Sequence, residues 1–286
     1  MSANKLKSVE SHFAFGKNWD SYSSLIDRGR IDEATKGLLR LVPAEAFRGR
    51  SFLDIGCGSG LHALAATELG VSRVTAVDID PDSVATARAV LGRSGVAVPW
   101  MVDAVSVFDL DPIVQGAFDI VYSWGVLHHT GSMWEAVAKA AAMVAPNGLL
   151  VLALYRRTRL DALWRIEKRL YAHAPRLVQR AFAGCYVTAF RLAMLASGRS
   201  FAAYAADYKS SRGMDFRHDV HDWLGGYPYE TALADEVEQR LGALGFTAER
   251  VFALSPRPVI KFGCDEYVYR RRPAFTAVEP KPASRD

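Results

Sequence analysis

The residues best suited to chemistry lie in a few short stretches. SFLDIGCGSG places Asp54 two residues ahead of Gly56, Gly58 and Gly60. AVDID carries Asp78, VPWMVDA ends on Asp103 and Ala104, and WGVLHHT carries His128 and His129. Carboxylates at the ends of apolar runs accept hydrogen bonds from hydroxyl and amino groups, and glycines let the backbone come close to a ligand. The spacing here is G-x-G-x-G, whereas a dinucleotide fingerprint reads G-x-G-x-x-G with an acidic residue about 20 positions on. Asp54 and Asp78 could instead serve as cap or turn residues. Histidine has an ordinary pKa of about 6.5, which suits proton transfer near neutral pH.

Two further stretches carry aromatic side chains. FAFGKNWDSY puts Trp19 and Tyr22 three apart on one helical face. They could lid a bound ligand, or simply pack in a core. HDVHDWLGGYPYE offers Trp223, Tyr227 and Tyr229 as the lining of an acceptor pocket, with Gly225, Gly226 and Pro228 shaping the turn. Its His and Asp residues are too few and too local for a metal site, so no metal is expected.

These residues need a scaffold, and the hydrophobic pattern supplies one. FLDI, RVTAVD, VPWMVD, FDIVYS and LLVLALY read as strands, with helical runs between most of them. Continuous apolar strands alternating with helices predict a doubly wound α/β fold, a parallel sheet covered on both faces. DEVEQRLGALG then predicts a last helix, and FTAERVFAL with EYVYR an antiparallel hairpin at the sheet edge. The expected organisation is a helical N-terminal lid over 1–50, a binding core over 51–154, an inserted substrate cap over 155–230, the last helix and hairpin over 231–271, and a disordered tail over 272–286. A connection of the cap's length is usually functional.

Composition narrows the classes. Of 286 residues half are apolar, enough to bury a sizeable core. Lys and Arg number 35 against 31 Asp and Glu, a net charge of +4 that does not by itself imply nucleic acid, which is not the expected partner. The polar start MSANKLKSVE does not read as a signal peptide. The apolar run 181–196 is short for a membrane span and contains Arg191. Three separated cysteines with no CxxC suit a reducing, cytoplasmic setting. Residues 155–199 hold ten Arg or Lys against two acids, interleaved with apolar residues. One or two basic amphipathic helices there could cap an anionic substrate or touch a lipid surface, or present a solvated face.

LDIGCGSG, AVDID, VDA and FDIVYSWGVLHH together resemble the motifs of the class I S-adenosylmethionine-dependent methyltransferases, over residues 51–154 and 235–270. The nearest likeness is to the branch of quinone-biosynthesis, sugar and small-molecule enzymes. The resemblance implies a seven-stranded sheet with its last strand antiparallel. It implies that the Gly56–Gly60 loop, with Cys57 as a small filler, cradles the methionine and ribose of S-adenosylmethionine. That ligand has no phosphate, which suits a loop with no Lys or Arg. By the same likeness Asp54 fixes the loop and the methionine amino end, Asp78 binds the ribose, and Ile79 packs on the adenine. Asp103 accepts from the adenine amine, and Ala104, Ser123 and Trp124 complete the cofactor set. His128 is the expected general base, as in some family members, and His129 would orient the acceptor or cap the next helix; alternatively both are loop hydrogen-bonders. The expected reaction is O-methylation of a small hydroxylated acceptor, such as a sugar, a quinone or phenol, or a lipid-linked metabolite. The rival readings are an RNA-directed methyltransferase and a non-catalytic cofactor-binding subunit. SWGV stands where amino methyltransferases of nucleic acids carry an Asn or Asp-Pro-Pro-aromatic motif, which disfavours that class.

Overall fold

The computed structural model describes residues 26–212, 220, 223–254 and 263–273. The aromatic residues Trp19 and Tyr22, and the HDVHD residues apart from Val220, lie outside the described part. The first described helix, α1 (Arg28–Leu41), opens on Asp27, whose carboxylate accepts from the Arg30 N–H. It is amphipathic, and Ala34, Leu38 and Leu41 are buried in the core. The second half of the expected lid is therefore part of the core: its apolar stripe is satisfied by packing beside the first helix of the sheet.

Strands and helices then alternate: β1 (Ser51–Ile55), α2 (Leu61–Glu68), β2 (Arg73–Asp78), α3 (Pro81–Arg93), β3 (Trp100–Ala104), the short α4 (Pro112–Gln115), β4 (Phe118–Trp124), α5 (Met133–Ala142) and β5 (Val144–Tyr155). The start of α3 follows from its sequence: Asp80 accepts from the Asp82 N–H, and Pro81 needs no partner for a missing N–H. Pro146, Asn147 and Gly148 fall within β5, and the register moves from Phe118↔Val144 to Ile120↔Leu149 around them. These three residues are an irregularity inside a long strand, with Asn147 at φ 62°.

The cap follows as α6 (Asp161–His173), α7 (Arg176–Ala196) and α8 (Phe201–Arg212), after which come α9 (Ala234–Ala243), β6 (Phe246–Phe252) and β7 (Cys264–Arg271). The sheet order is β3-β2-β1-β4-β5-β7-β6, and only β7 runs against its neighbours. Two apolar layers flank it. One joins α1, α2 and α3 to the sheet; the other joins α5 and α9 to the opposite face. The strand order turns back between β1 and β4, and in open α/β sheets ligands bind at that switch point, beyond the carboxyl ends of the strands. Asp54, Asp78, Asp103 and the His128 loop all belong to that end. No described helix is long and apolar enough to cross a membrane.

Candidate active site

The chain leaves β1 through a left-handed turn. Gly56, Gly58 and Gly60 have φ of 74°, 52° and 76°, values that side-chain-bearing residues rarely adopt. At Gly56 the requirement is also spatial, since a Cβ there would stand 2.4–2.9 Å from the side chain of Val126. The two loops of the switch point are in contact at that position.

Asp54 lies under this loop, 3 % exposed. Its carboxyl accepts from the Ala63 N–H, while Oδ2 has no hydrogen-bond partner among the described residues. Burial, and secondarily the nearby Asp78, raises its pKa from 3.8 to about 7. Asp78 ends β2 and pins both loops: Oδ2 accepts from the Gly58 N–H and Oδ1 from the Asp80 N–H, each at 2.9 Å. The Ile79 N–H is a third donor to this carboxylate, and of its roughly four acceptor sites one remains for a ligand's hydroxyl. Ile79 follows, half-buried. The register pairs Val77 with Asp103 and Asp78 with Ala104, which sets the third acidic residue level with the second. Asp103 is half-exposed and stands 3.3 Å from Arg88 of α3. Cys57 is buried, and burial pushes its thiol pKa well up, which fits a filler of the loop.

Ser123 and Trp124, two of the expected cofactor contacts, are held by hydrogen bonds within the chain. Ser123 is fully buried and donates its hydroxyl to the Ile55 carbonyl at 3.0 Å, so it supports the start of the loop from below. Trp124 is exposed, and its Nε1 donates to Glu266 of β7, which also holds Arg40 of α1. Its ring flanks His62, at 6.4 Å between centroids, and His62 in turn lies 5.2 Å from Tyr122. Burial lowers the His62 pKa to about 4, so this wall is neutral.

His128 lies in a short 3-10 turn, Leu127–His129, and is 0 % exposed. Its Nδ1 accepts from the Tyr155 N–H at 3.2 Å, and its ring lies 3.8 Å from that of Tyr155. An Nδ1 that accepts requires the proton on Nε2. Nε2 has no partner among the described residues. Burial first, then His129 and Lys168, holds its pKa well below 6.5. In this tautomer the ring has no free lone pair, so its geometry fits a hydrogen-bond donor and not the general base expected from its position. His129 is used to dock the cap: its Nδ1 is 2.8 Å from the Pro228 carbonyl and donates to it. The segment that returns from the cap is fastened on the same loop a second time, by the Glu230 N–H to the His128 carbonyl at 3.0 Å, while Glu230 accepts from the Met133 N–H at the start of α5.

Trp223 lines a small pocket together with Tyr155, Arg156, Trp164, Lys168, Tyr229 and Gly263. Tyr227 does not. Its ring lies 5.5 Å from His173 at the far end of α6. Lys168 is the functional candidate that sequence reasoning missed. It is 1 % exposed, its ammonium donates to the Trp223 carbonyl, and it lies 4.4 Å from the Trp223 ring and 5.3 Å from that of Tyr229. The available signal was spacing: Trp164, Lys168 and Tyr171 fall on one face of α6.

Comparisons with known proteins agree with this geometry. Residues 53–152 match the family model described as "Methyltransferase domain". A ubiquinone biosynthesis O-methyltransferase of Xanthomonas axonopodis is 36% identical over 119 residues, 42% of this chain and 47% of that protein. The chain thus spans about half the length of the curated relatives it matches. Among solved structures, magnesium protoporphyrin IX methyltransferase from Synechocystis, with bound S-adenosylhomocysteine, aligns at a TM-score of 0.50 with 16% identity, over 85% of this chain and 84% of that one. The [4+2]-cyclase SpnF aligns at 0.52 with 14% identity, over 84% and 80%. Likeness at such identities shows the fold alone. The stretch that the family model matches carries Asp54, the glycine loop, Asp78, Asp103 and the His128 loop.

Proposed function

We propose that the protein transfers a methyl group from S-adenosylmethionine to an oxygen of a small hydroxylated acceptor. The observation that carries this reading is the unpartnered Asp54 carboxyl oxygen beneath a glycine loop that excludes a side chain at Gly56. A buried acidic oxygen without a donor is costly, and the ammonium of a methionine moiety satisfies it. Asp78 keeps an acceptor site for a ribose hydroxyl, Asp103 would accept from the adenine amine, and Ile79 would cover the ring. When bound, the cofactor supplies a methyl on a sulfonium, open to in-line displacement. The work of the chain is then positioning. The His128 loop and the cap's return segment, joined through His129 and Glu230, form one wall. The acceptor hydroxyl gives its proton to solvent before transfer, and the Nε2–H of His128 donates to the resulting oxyanion, with the ring oriented by the Tyr155 N–H. Fixing nucleophile and methyl in line supplies much of the acceleration in such reactions. The relatives named as O-methyltransferases support oxygen as the atom attacked. Incubation of the full chain with methyl-labelled cofactor and a panel of sugars, phenols and quinols tests this: label on an acceptor oxygen is expected, and label on nitrogen or carbon alone would refute it.

We also propose that the cap meets an anionic lipid surface. On α6, Leu163, Ile166 and Leu170 share a face and are 57–68 % exposed; on α7, Leu177 and Leu195 are 79 % and 73 % exposed. Seven arginines of the segment are exposed (Arg159, Arg165, Arg169, Arg176, Arg180, Arg191 and Arg199), and its two acids are not. Apolar side chains ringed by arginine fit an interfacial helix pair. Co-sedimentation with phosphatidylglycerol vesicles but not with phosphatidylcholine vesicles is the expected outcome; equal recovery with both would remove the charge argument.

A further inference from the structure

One residue of the cap's return segment grips the His128 loop from outside. α5 begins at Met133, and its N-cap residue, Ser132, makes no side-chain bond to the helix backbone; the Ser132 hydroxyl goes to Glu135 instead. The Met133 N–H is served from 97 positions away, by Oε2 of Glu230 at 2.9 Å, and the Gly131 N–H donates to the same carboxylate. A helix N-terminus leaves such N–H groups without partners of its own, and an anion there is favourable. The Glu230 N–H donates in turn to the His128 carbonyl at 3.0 Å. Glu230 thus holds the loop at the His128 carbonyl and at the N–H groups of Gly131 and Met133, and His129 adds a further tie through the Pro228 carbonyl. On its other side the loop meets the glycine turn, where Val126 fills the space that a Cβ on Gly56 would take. Among the described residues the His128 ring has a single hydrogen bond, from the Tyr155 N–H, so the place of the ring depends on the place of its backbone.

We infer that Glu230 is the positioning residue of His128: from the cap, its N–H and its carboxylate clasp the stretch 128–133 at both ends and so hold the Nε2–H donor in place. The inference rests on the methyltransferase reading for the use of that donor, while the clasp itself requires no turnover. Bonds from backbone N–H groups to a carboxylate are charge-assisted and stronger than neutral ones. Glu230 is half-buried, so solvent screens them less than at an open surface. A plain helix cap would serve the N–H groups alone. The return bond to the His128 carbonyl is what makes the surroundings of the ring depend on the cap. The groups that act on the ring are His129 on its own loop, Tyr155 at the end of β5 and Lys168 on α6, while Arg165 of α6 acts on the Glu230 carboxylate. With the clasp made, the ring is buried and neutral. Releasing the clasp admits water to the ring and relieves the burial that holds its pKa well below 6.5.

The test is nitrogen NMR of the full chain with its histidines isotope-labelled. A His128→Gln sample identifies the His128 resonances by their absence. In the parent they are expected to report a neutral ring with its proton on Nε2, unchanged from about pH 6 to 8. Glu230→Ala removes the carboxylate bonds. The His128 signals should then titrate with a midpoint shifted up toward 6.5, and the neutral ring should carry its proton on either nitrogen. Glu230→Gln keeps an acceptor oxygen for the N–H groups and should restore the parental signature. If Glu230→Ala does not fold, Glu230→Asp is the second variant: its carboxylate is drawn back by one methylene, and the shift should fall between those of the parent and a free histidine. A His128 signature that neither Glu230→Ala nor Glu230→Asp moves would overturn the inference, and so would a shift in Glu230→Gln as large as that in Glu230→Ala. Calorimetry with S-adenosylhomocysteine on the same samples separates the two readings. Binding by the parent with an indifferent His128 removes the clasp and leaves the methyltransferase reading standing; no binding by the parent, with His128 answering to Glu230, does the reverse.

Discussion

Asp54→Asn should strengthen the fold and weaken the cofactor site. The carboxyl is 3 % exposed and has an oxygen without a partner among the described residues. Its pKa lies near 7 when folded, against 3.8 for the free side chain. A carboxyl that binds its proton more tightly when folded costs nothing well below pH 3.8. The cost grows between 3.8 and about 7, and is complete above 7. At ~1.36 kcal/mol for each step of one in pKa, that cost is about 4 kcal/mol at pH 8, an upper figure because the neutral amide is also buried with an unsatisfied atom. Urea unfolding of the cofactor-free protein should therefore show the variant more stable than the parent by about 2–4 kcal/mol at pH 8. The gap should narrow as pH falls toward 5. The cofactor site should respond in the opposite sense. Losing a charge-assisted bond to the methionine ammonium costs about 1.5–3 kcal/mol, or roughly 10- to 150-fold in affinity. In the parent, S-adenosylhomocysteine affinity should rise with pH through about 7 as Asp54 ionises, and that limb should be absent in the variant. A variant that is destabilised at pH 8, or that binds with parental affinity, would show that Asp54 is satisfied internally and is not the ammonium's partner.

Asp78→Ala removes the acceptor of the Gly58 and Asp80 N–H groups together with the expected ribose partner, and calorimetry should show S-adenosylhomocysteine binding weakened by at least about 10-fold. Gly56→Ala forces a Cβ against Val126 at a φ of 74°, and thermal unfolding should report a loss of about 1–3 kcal/mol together with lost cofactor binding. His128→Ala should cut turnover while His128→Gln, which keeps an N–H donor, retains more of it. Neither should create or abolish a rate limb between pH 6 and 7, because the buried ring stays neutral across that range. A parental limb near 6.5 that vanishes in both variants would restore the general-base role.

Much of the scaffold is legible in the sequence because it is encoded locally. The apolar runs ending in Asp54, Asp78 and Asp103 carry strand length and polarity within a few residues, and Gly56, Gly58 and Gly60 declare a left-handed turn by composition. What fails to show depends on distant partners. Ser123 reads as a ligand contact until its hydroxyl is found on Ile55, 68 positions away. The donor role of His128 follows from the Tyr155 N–H, 27 positions on, which fixes the tautomer. Lys168 looks like one of ten basic residues on amphipathic helices, and only the return of Trp223 over α6 makes it a buried cation. α1 reads as a lid because its apolar stripe names no partner, and the partner turns out to be α2.

The central claim, a cradle built for S-adenosylmethionine, is tested most directly by calorimetry of the full chain against S-adenosylhomocysteine and NAD at pH 8. One molecule of S-adenosylhomocysteine bound per chain, with no heat from NAD, is the result expected of a G-x-G-x-G loop with Asp54 beneath it and Asp78 pinning it. Saturable NAD binding with no response to S-adenosylhomocysteine would contradict it.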